Sequence, residues 1–303
     1  IQRSYRLQFN ASTKFLYEMS STWIEDIIYP DIDDYIDNGW TLSFFNNPQQ
    51  MISDTDGYSI ALYAHYLTSV IGNEDDLDSS IIKQIWEQFS IINNAHSSIN
   101  TILVNNYSTT FINTWIEFCT RNLYNGYYED MNNSFYYYTD QINASPIMMN
   151  DFDDLSNSVI VNELLDNESI IIKAFEPSLD FFINIDNLNE NIMGNIVMQG
   201  QELINFSPIG DLNYYYTEEI DKIYLFLGSQ QESNLNLDLS VYNYNFGDIN
   251  QNNFINVVDI IHIVNYIFSD LVLTDFQIIL SDINLDSNID ILDVIEVVNI
   301  IIN

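Results

Sequence analysis

Asp248-Ile249-Asn250-Gln251-Asn252-Asn253-Phe254-Ile255-Asn256-Val257-Val258-Asp259 and Asp282-Ile283-Asn284-Leu285-Asp286-Ser287-Asn288-Ile289-Asp290-Ile291-Leu292-Asp293 are two copies of one twelve-residue pattern near the C-terminus. Both carry an oxygen-bearing side chain at positions 1, 3, 5, 9 and 12, and isoleucine at position 8. Calcium is a hard cation that takes six to eight oxygen ligands, and a loop with this spacing wraps them around one ion. The expected ligands of the first ion are Asp248, Asn250, Asn252, Phe254 (through its carbonyl), Asn256 and Asp259. Those of the second are Asp282, Asn284, Asp286, Asn288 (again a carbonyl), Asp290 and Asp293. An apolar stretch follows each loop, Ile260 to Phe268 and Val294 to Ile302, long enough for one short helix.

Position 12 is Asp in both loops, where an ordinary EF-hand has Glu. That residue, the loop-then-helix order and the tandem arrangement resemble the dockerin module of secreted bacterial proteins. The resemblance implies two Ca²⁺ sites and a surface that docks on a protein partner or on another copy of the chain. Position 6 departs from the pattern, with Asn253 and Ser287 standing where glycine usually makes the sharp turn. Asn tolerates a left-handed backbone better than Ser does, so Ser287 is the poorer fit. The first loop holds two carboxylates, Asp248 and Asp259, and the second holds four, so the second site is expected to bind more tightly. Positions 10 and 11 are Val257-Val258 and Ile291-Leu292, which fit either a docking surface or the module's own core.

The chain has 303 residues, 44 acidic against 7 Lys and Arg, for a net charge of -37. That balance excludes nucleic-acid binding, which needs cations against phosphates, and argues against anionic membrane surfaces. A hydrophobic content of 47% is enough for a folded protein despite the charge. Cys119 is the single cysteine, which excludes an internal disulfide and reads as a small buried hydrophobe. No apolar run reaches the length of a membrane span. The acidity suits a saline or calcium-rich setting, so a secreted, extracellular or cell-surface location is expected. A start at Ile1 rather than Met suggests a processed product.

Three zones follow along the chain, giving a multidomain α+β fold. Residues 1–130 read as a helical lobe, with apolar stripes Phe15-Leu16-Met19-Trp23-Ile27, Ile60-Tyr63-Ala64-Leu67-Ile71, Ile82-Ile85-Trp86-Phe89 and Phe111-Trp115-Phe118-Leu123. Residues 131–155 read as a linker. Residues 156–245 carry short β-branched and aromatic runs, which predict an antiparallel β-sandwich with strands over 169–175, 179–185, 192–198, 222–227 and 235–242. Residues 246–303 form the dockerin-like module. Sequons at Asn10, Asn106, Asn132, Asn143, Asn167 and Asn205 could carry N-glycans, although Asn and Ser are abundant enough to give this number by chance. The runs Tyr136-Tyr137-Tyr138 and Tyr214-Tyr215-Tyr216 fit strand burial better than sugar stacking.

The segment from Phe15 to Pro30 contains Glu18-Met19-Ser20-Ser21-Thr22-Trp23-Ile24-Glu25-Asp26, followed by Tyr29-Pro30. This order, with helices like Tyr58 to Gly72 and one containing Ile85-Trp86-Glu87, resembles the region downstream of HExxH in a family of secreted bacterial zinc metalloproteases. The resemblance implies that Glu18 matches a downstream zinc ligand and Glu25 an outer residue on the same helix face. His65, His96 and His262 form no HExxH pair. Zn²⁺ is therefore expected only with an upstream HExxH segment, to which Ile1-Gln2-Arg3-Ser4 would attach, and the 303 residues alone are not expected to hydrolyse peptides. A solvated helix face explains Glu18 and Glu25 equally well. His65, on an apolar stripe, reads as a core histidine, and His262 as a residue at the edge of the module.

Two functions follow as expectations. One is a secreted calcium-binding structural or interaction protein, docking or assembling through its C-terminal module into a filament or surface layer. The alternative is the C-terminal portion of a zinc metalloprotease.

Overall fold

The structure is a computed structural model describing residues 11–32, 34–73, 80–124, 153–154, 159–176, 181–186, 191–199, 207–208, 213–216, 222–243, 245–284 and 286–302. The expected linker over 131–155 (apart from 153–154), Tyr136 to Tyr138, Ile1 to Ser4 and the sequons at Asn10, Asn132, Asn143 and Asn205 lie outside these residues. The fold is mixed α/β, with small, largely antiparallel sheets.

Among the described residues the α-helices α1 (Lys14–Ile28), α2 (Asp34–Asp37), α3 (Trp40–Phe45), α4 (Ala61–Tyr66), α5 (Ile81–Ile92), α6 (Ala95–Tyr107) and α7 (Phe111–Arg121) come first. The stripe predicted for α1 is its buried face: Phe15, Leu16 and Met19 are fully buried and Trp23 nearly so. Polar bonds tie the helices where side chains interdigitate. Trp86 Nε1 donates to Ser20 Oγ (3.1 Å), and Tyr63 Oη and Thr114 Oγ1 share a bond of 2.7 Å. Burial pushes the Tyr63 hydroxyl well above its ordinary pKa and does the same to the Cys119 thiol, which is an inert core group. Helix α6 carries no single strong stripe, but Asn94 caps it by accepting from Ser97 N, and Thr110 caps α7.

Among the described residues the strands β1 (Asp153–Asp154), β2 (Val159–Leu165), β3 (Ile170–Glu176), β4 (Phe181–Asp186), β5 (Ile192–Gln199), β6 (Ser207–Pro208), β7 (Asn213–Tyr216), β8 (Lys222–Ser229) and β9 (Ser233–Asn243) follow. One sheet has the order β1-β3-β8-β5-β6 and the other β2-β9-β4-β7. Strand β8 is central, antiparallel to β3 (Ile172↔Phe226) and to β5 (Ile196↔Leu225), and Ile223 to Leu227 are buried without alternation, with α7 packed against the strand. Gly228 lets α7 approach: a Cβ there would lie 2.6 Å from Ile112 Cγ1. One buried core runs from the helices into Ile170, Ile172, Val197 and Phe226 of this sheet.

Two compact units emerge. The first spans 1–178, 184–213 and 218–240; the second spans 179–183, 214–217 and 241–303. The second contains α8 (Val257–Ile267), α9 (Asp275–Ser281) and α10 (Ile291–Ile302). Among the described residues, no helix is long and apolar enough to cross a membrane.

Candidate calcium-binding module

The two twelve-residue patterns fold as two loops that share a set of side-chain to backbone hydrogen bonds. Asp248 at position 1 accepts from Asn252 N (3.0 Å) and Asn253 N (2.6 Å); its counterpart Asp282 accepts from Asp286 N (3.1 Å) and Ser287 N (2.9 Å). At position 3, Asn250 Oδ1 and Asn284 Oδ1 accept from the N–H groups of Asn252 and Asp286. At position 5, Asn252 Oδ1 and Asp286 Oδ1 accept from Phe254 N and Asn288 N. Position 9 caps the following helix, with Asn256 accepting from Val258 N and Asp290 from Leu292 N. Position 12 reaches back across the loop: Asp259 accepts from Asn250 N and Asn256 N, and Asp293 from Ile283 N, Asn284 N and Asp290 N. The bonds that Asp248, Asn250, Asn252, Asn256 and Asp259 accept from backbone N–H groups thus recur in the second loop, 34 residues on.

Backbone conformation explains the position-6 departure. Asn253 has φ 67° and Ser287 φ 66°, so both adopt the left-handed turn that glycine makes without cost. Asn253 belongs to a residue type that visits this region, while Ser287 carries the larger strain.

Isoleucines hold the pair together. Ile255 and Ile289 at position 8, and Ile249 and Ile283 at position 2, pack with Ile263, Leu273, Val294 and Val297 in a core belonging to this module. Positions 10 and 11 do not join it. Val257 and Ile291 are both 61% exposed, and Val258 and Leu292 are 48% and 50% exposed. One turn further on, Ile261 and Ile295 are 50% and 48% exposed. Loop repetition therefore generates a repeated apolar stripe on α8 and α10. His262 is half-buried on α8.

The electrostatics are one-sided. Asp259 and Asp293 are fully buried and Asp248 nearly so, yet no Lys, Arg or His stands within ion-pair distance of them among the described residues. From Val241 to Asn303 the sequence has nine Asp and Glu and no Lys or Arg. Backbone N–H groups, and for Asp259 and Asp293 the N-terminal turns of α8 and α10, offset part of the charge. A buried carboxylate without a counter-ion is costly, and the carboxylate oxygens of Asp248 and Asp259, each accepting one backbone N–H, keep a second lone pair for a cation. The donor set of carboxylates, carboxamides and loop carbonyls suits calcium and offers no nitrogen or sulfur ligand. No group of three or more His, Cys, Asp or Glu side chains is drawn together as a ready metal cluster among the described residues. The first loop has only two carboxylates, and in both loops the carboxylates hold backbone N–H groups.

Tyr58 bonds to Glu18, and this bond, ahead of burial, pushes the Tyr58 hydroxyl up to about 12. Glu25 is exposed. His65 is buried, with Nε2 3.3 Å from Asp26 Oδ2 and its ring stacked on Tyr35. Sequence reading missed both the His65–Asp26 pair and a second one, His96 with Glu168 (3.7 Å). Residues 72 positions apart in the second pair leave no local pattern to find.

No family model matches the chain, and no curated protein matches it. One solved structure is similar over part of it, the crystal structure of Aeromonas hydrophila PliG, a periplasmic lysozyme inhibitor of g-type lysozyme. The identity is 14%, covering 28% of this chain and 87% of that one, with a TM-score of 0.22. A likeness that low carries no argument about fold, function or location.

Proposed function

We propose that the chain is a secreted calcium-binding structural or interaction protein that docks or assembles through its dockerin-like C-terminal module. The observation that carries this reading is the pair of buried carboxylates, Asp259 and Asp293, at equivalent places in two loops that share their backbone-to-side-chain hydrogen bonds, with no basic partner among the described residues. Two calcium ions would be held by Asp248, Asn250, Asn252, the Phe254 carbonyl, Asn256 and Asp259, and by Asp282, Asn284, Asp286, the Asn288 carbonyl, Asp290 and Asp293. Calcium supplies the missing positive charge and fixes the two loops, so the chain's own residues can hold α8 and α10 in one register. The second site, with four carboxylates, binds the tighter ion.

Docking is supported by the apolar stripes at positions 10 and 11, which face water instead of the module's core. The two sheets of the β zone, expected over 156–245, are read as a β-sandwich that carries this module, and assembly into a filament or surface layer would be the extracellular use of it. Electron microscopy and light scattering of the full chain, with calcium and then with chelator, test the docking step. Ordered polymers or oligomers that dissolve on chelation are expected, and Val258→Asp with Leu292→Asp should abolish them while calcium binding persists. A monomer in calcium that captures no partner would count against assembly.

A further inference from the structure

The repeat of the loops continues into the helices that follow them. Val257-Val258-Asp259-Ile260-Ile261-His262-Ile263-Val264-Asn265 of α8 aligns with Ile291-Leu292-Asp293-Val294-Ile295-Glu296-Val297-Val298-Asn299 of α10. Eight of these nine positions keep an aliphatic residue, the loop Asp or the Asn, and one exchanges His262 for Glu296. His262 is the only basic side chain from Val241 to Asn303, and Glu296 is the only glutamate there.

Both residues stand on the exposed apolar stripes. His262 follows Val258 by four positions and Glu296 follows Leu292 by four, so each lies one helical turn along the same face. Ile261 and Ile295 flank them, each about half exposed. Glu296 is itself exposed. His262 is half-buried: its Nδ1 is turned inside without a hydrogen-bond partner, and the ring meets the outside through Nε2. A proton on Nε2 makes that edge a donor, while a carboxylate only accepts. The two stripes are thus alike in their apolar spacing and opposite in the one polar group each carries.

We infer that the α8 stripe of one copy docks on the α10 stripe of a second copy, with His262 Nε2 donating to the Glu296 carboxylate across the contact. The inference rests on the calcium reading above, in which the bound ions hold both helices in place. Pairing of like helices would set Glu296 against Glu296 and leave His262 Nε2 without an acceptor, which costs specificity and energy. A foreign partner on one stripe would leave the other apolar stripe in water, whereas pairing α8 with α10 covers both kinds. Two calcium ions offset four of the module's nine negative charges. At about 0.15 M salt, exposed charges more than about 8 Å apart are largely screened, so the remaining acids oppose the contact only weakly. A contact between unlike surfaces can repeat from copy to copy, as a filament or layer requires.

Sedimentation velocity of the full chain in calcium and about 0.15 M salt tests the contact. The wild-type chain should self-associate. His262→Glu, and Glu296→Lys at its exposed site, should each weaken association by about ten- to hundredfold, the worth of one hydrogen bond to a charged group. An equal mixture of the two variants should associate again, because each offers the stripe that the other lacks. Calcium titration of both variants should match the wild type, which shows that the module is intact. A wild-type chain that binds calcium and stays monomeric overturns the inference in favour of a foreign partner and leaves the calcium reading standing. Single variants that associate like the wild type, or a mixture no stronger than its components, also overturn it. A chain that takes up no calcium removes the calcium reading and this contact with it.

Discussion

Ser287 sits at φ 66° in the tighter of the two proposed calcium sites, in a conformation that disfavours every side chain with a Cβ. Ser287→Gly should therefore stabilise the module by about 0.5–1 kcal/mol, the relief of strain outweighing the entropy glycine adds to the unfolded chain. Calorimetric melting in calcium measures it, and a lowered melting temperature would mean that the serine side chain has a role of its own. His96 gives a second residue-scale prediction. Burial depresses its pKa in the folded chain, so on acidification the unfolded chain takes up this proton first. Stability tied to neutral His96 is complete above about pH 6.5 and is lost as the pH falls below it. Urea unfolding in chelator, at neutral pH and about one unit below the ordinary histidine pKa, should show a loss that His96→Gln removes.

Elements were legible in proportion to how much of their pattern is local. Helix α1 and the loop-helix pairs at α8 and α10 announce themselves because burial repeats every three or four residues and Asp and Asn repeat at fixed spacing. Strands β3, β4, β5, β8 and β9 fall on the expected runs, while β2, whose sequence Val-Ile-Val-Asn-Glu-Leu-Leu mixes polar and apolar residues without strict alternation, was not marked as a strand. Helix α6 escaped notice because Asn and Ser interrupt its apolar face and its start rests on the Asn94 cap. Close approaches between elements were not legible at all. Gly57 has φ 88°, and a Cβ there would lie 2.5 Å from the Phe15 carbonyl of α1 and 2.8 Å from Glu18 Cβ. Gly57→Ala should destabilise the first unit by roughly 2–4 kcal/mol, combining backbone strain with overpacking. Urea denaturation would read the loss, and unchanged stability would show that α1 can move aside.

At the scale of the whole molecule, charge is the governing quantity. A net charge of -37 leaves the chain self-repelling, and its C-terminal region has no Lys or Arg with which to offset its nine acids. Sequence spacing located both twelve-residue loops because their side-chain to backbone hydrogen bonds are local. It left open whether positions 10 and 11 are core or surface, because that depends on how the paired helices meet, and the structure places them in water. It was silent on the His96–Glu168 pair, which joins two separate segments. Isothermal titration of the chelator-stripped full chain with calcium is the most direct test. Two saturable sites are expected, the tighter one removed by Asp293→Asn and the weaker by Asp259→Asn, with melting temperature rising as each fills. A chain that takes up no calcium, or whose calcium heat is untouched by both substitutions, would contradict the assignment of the two loops.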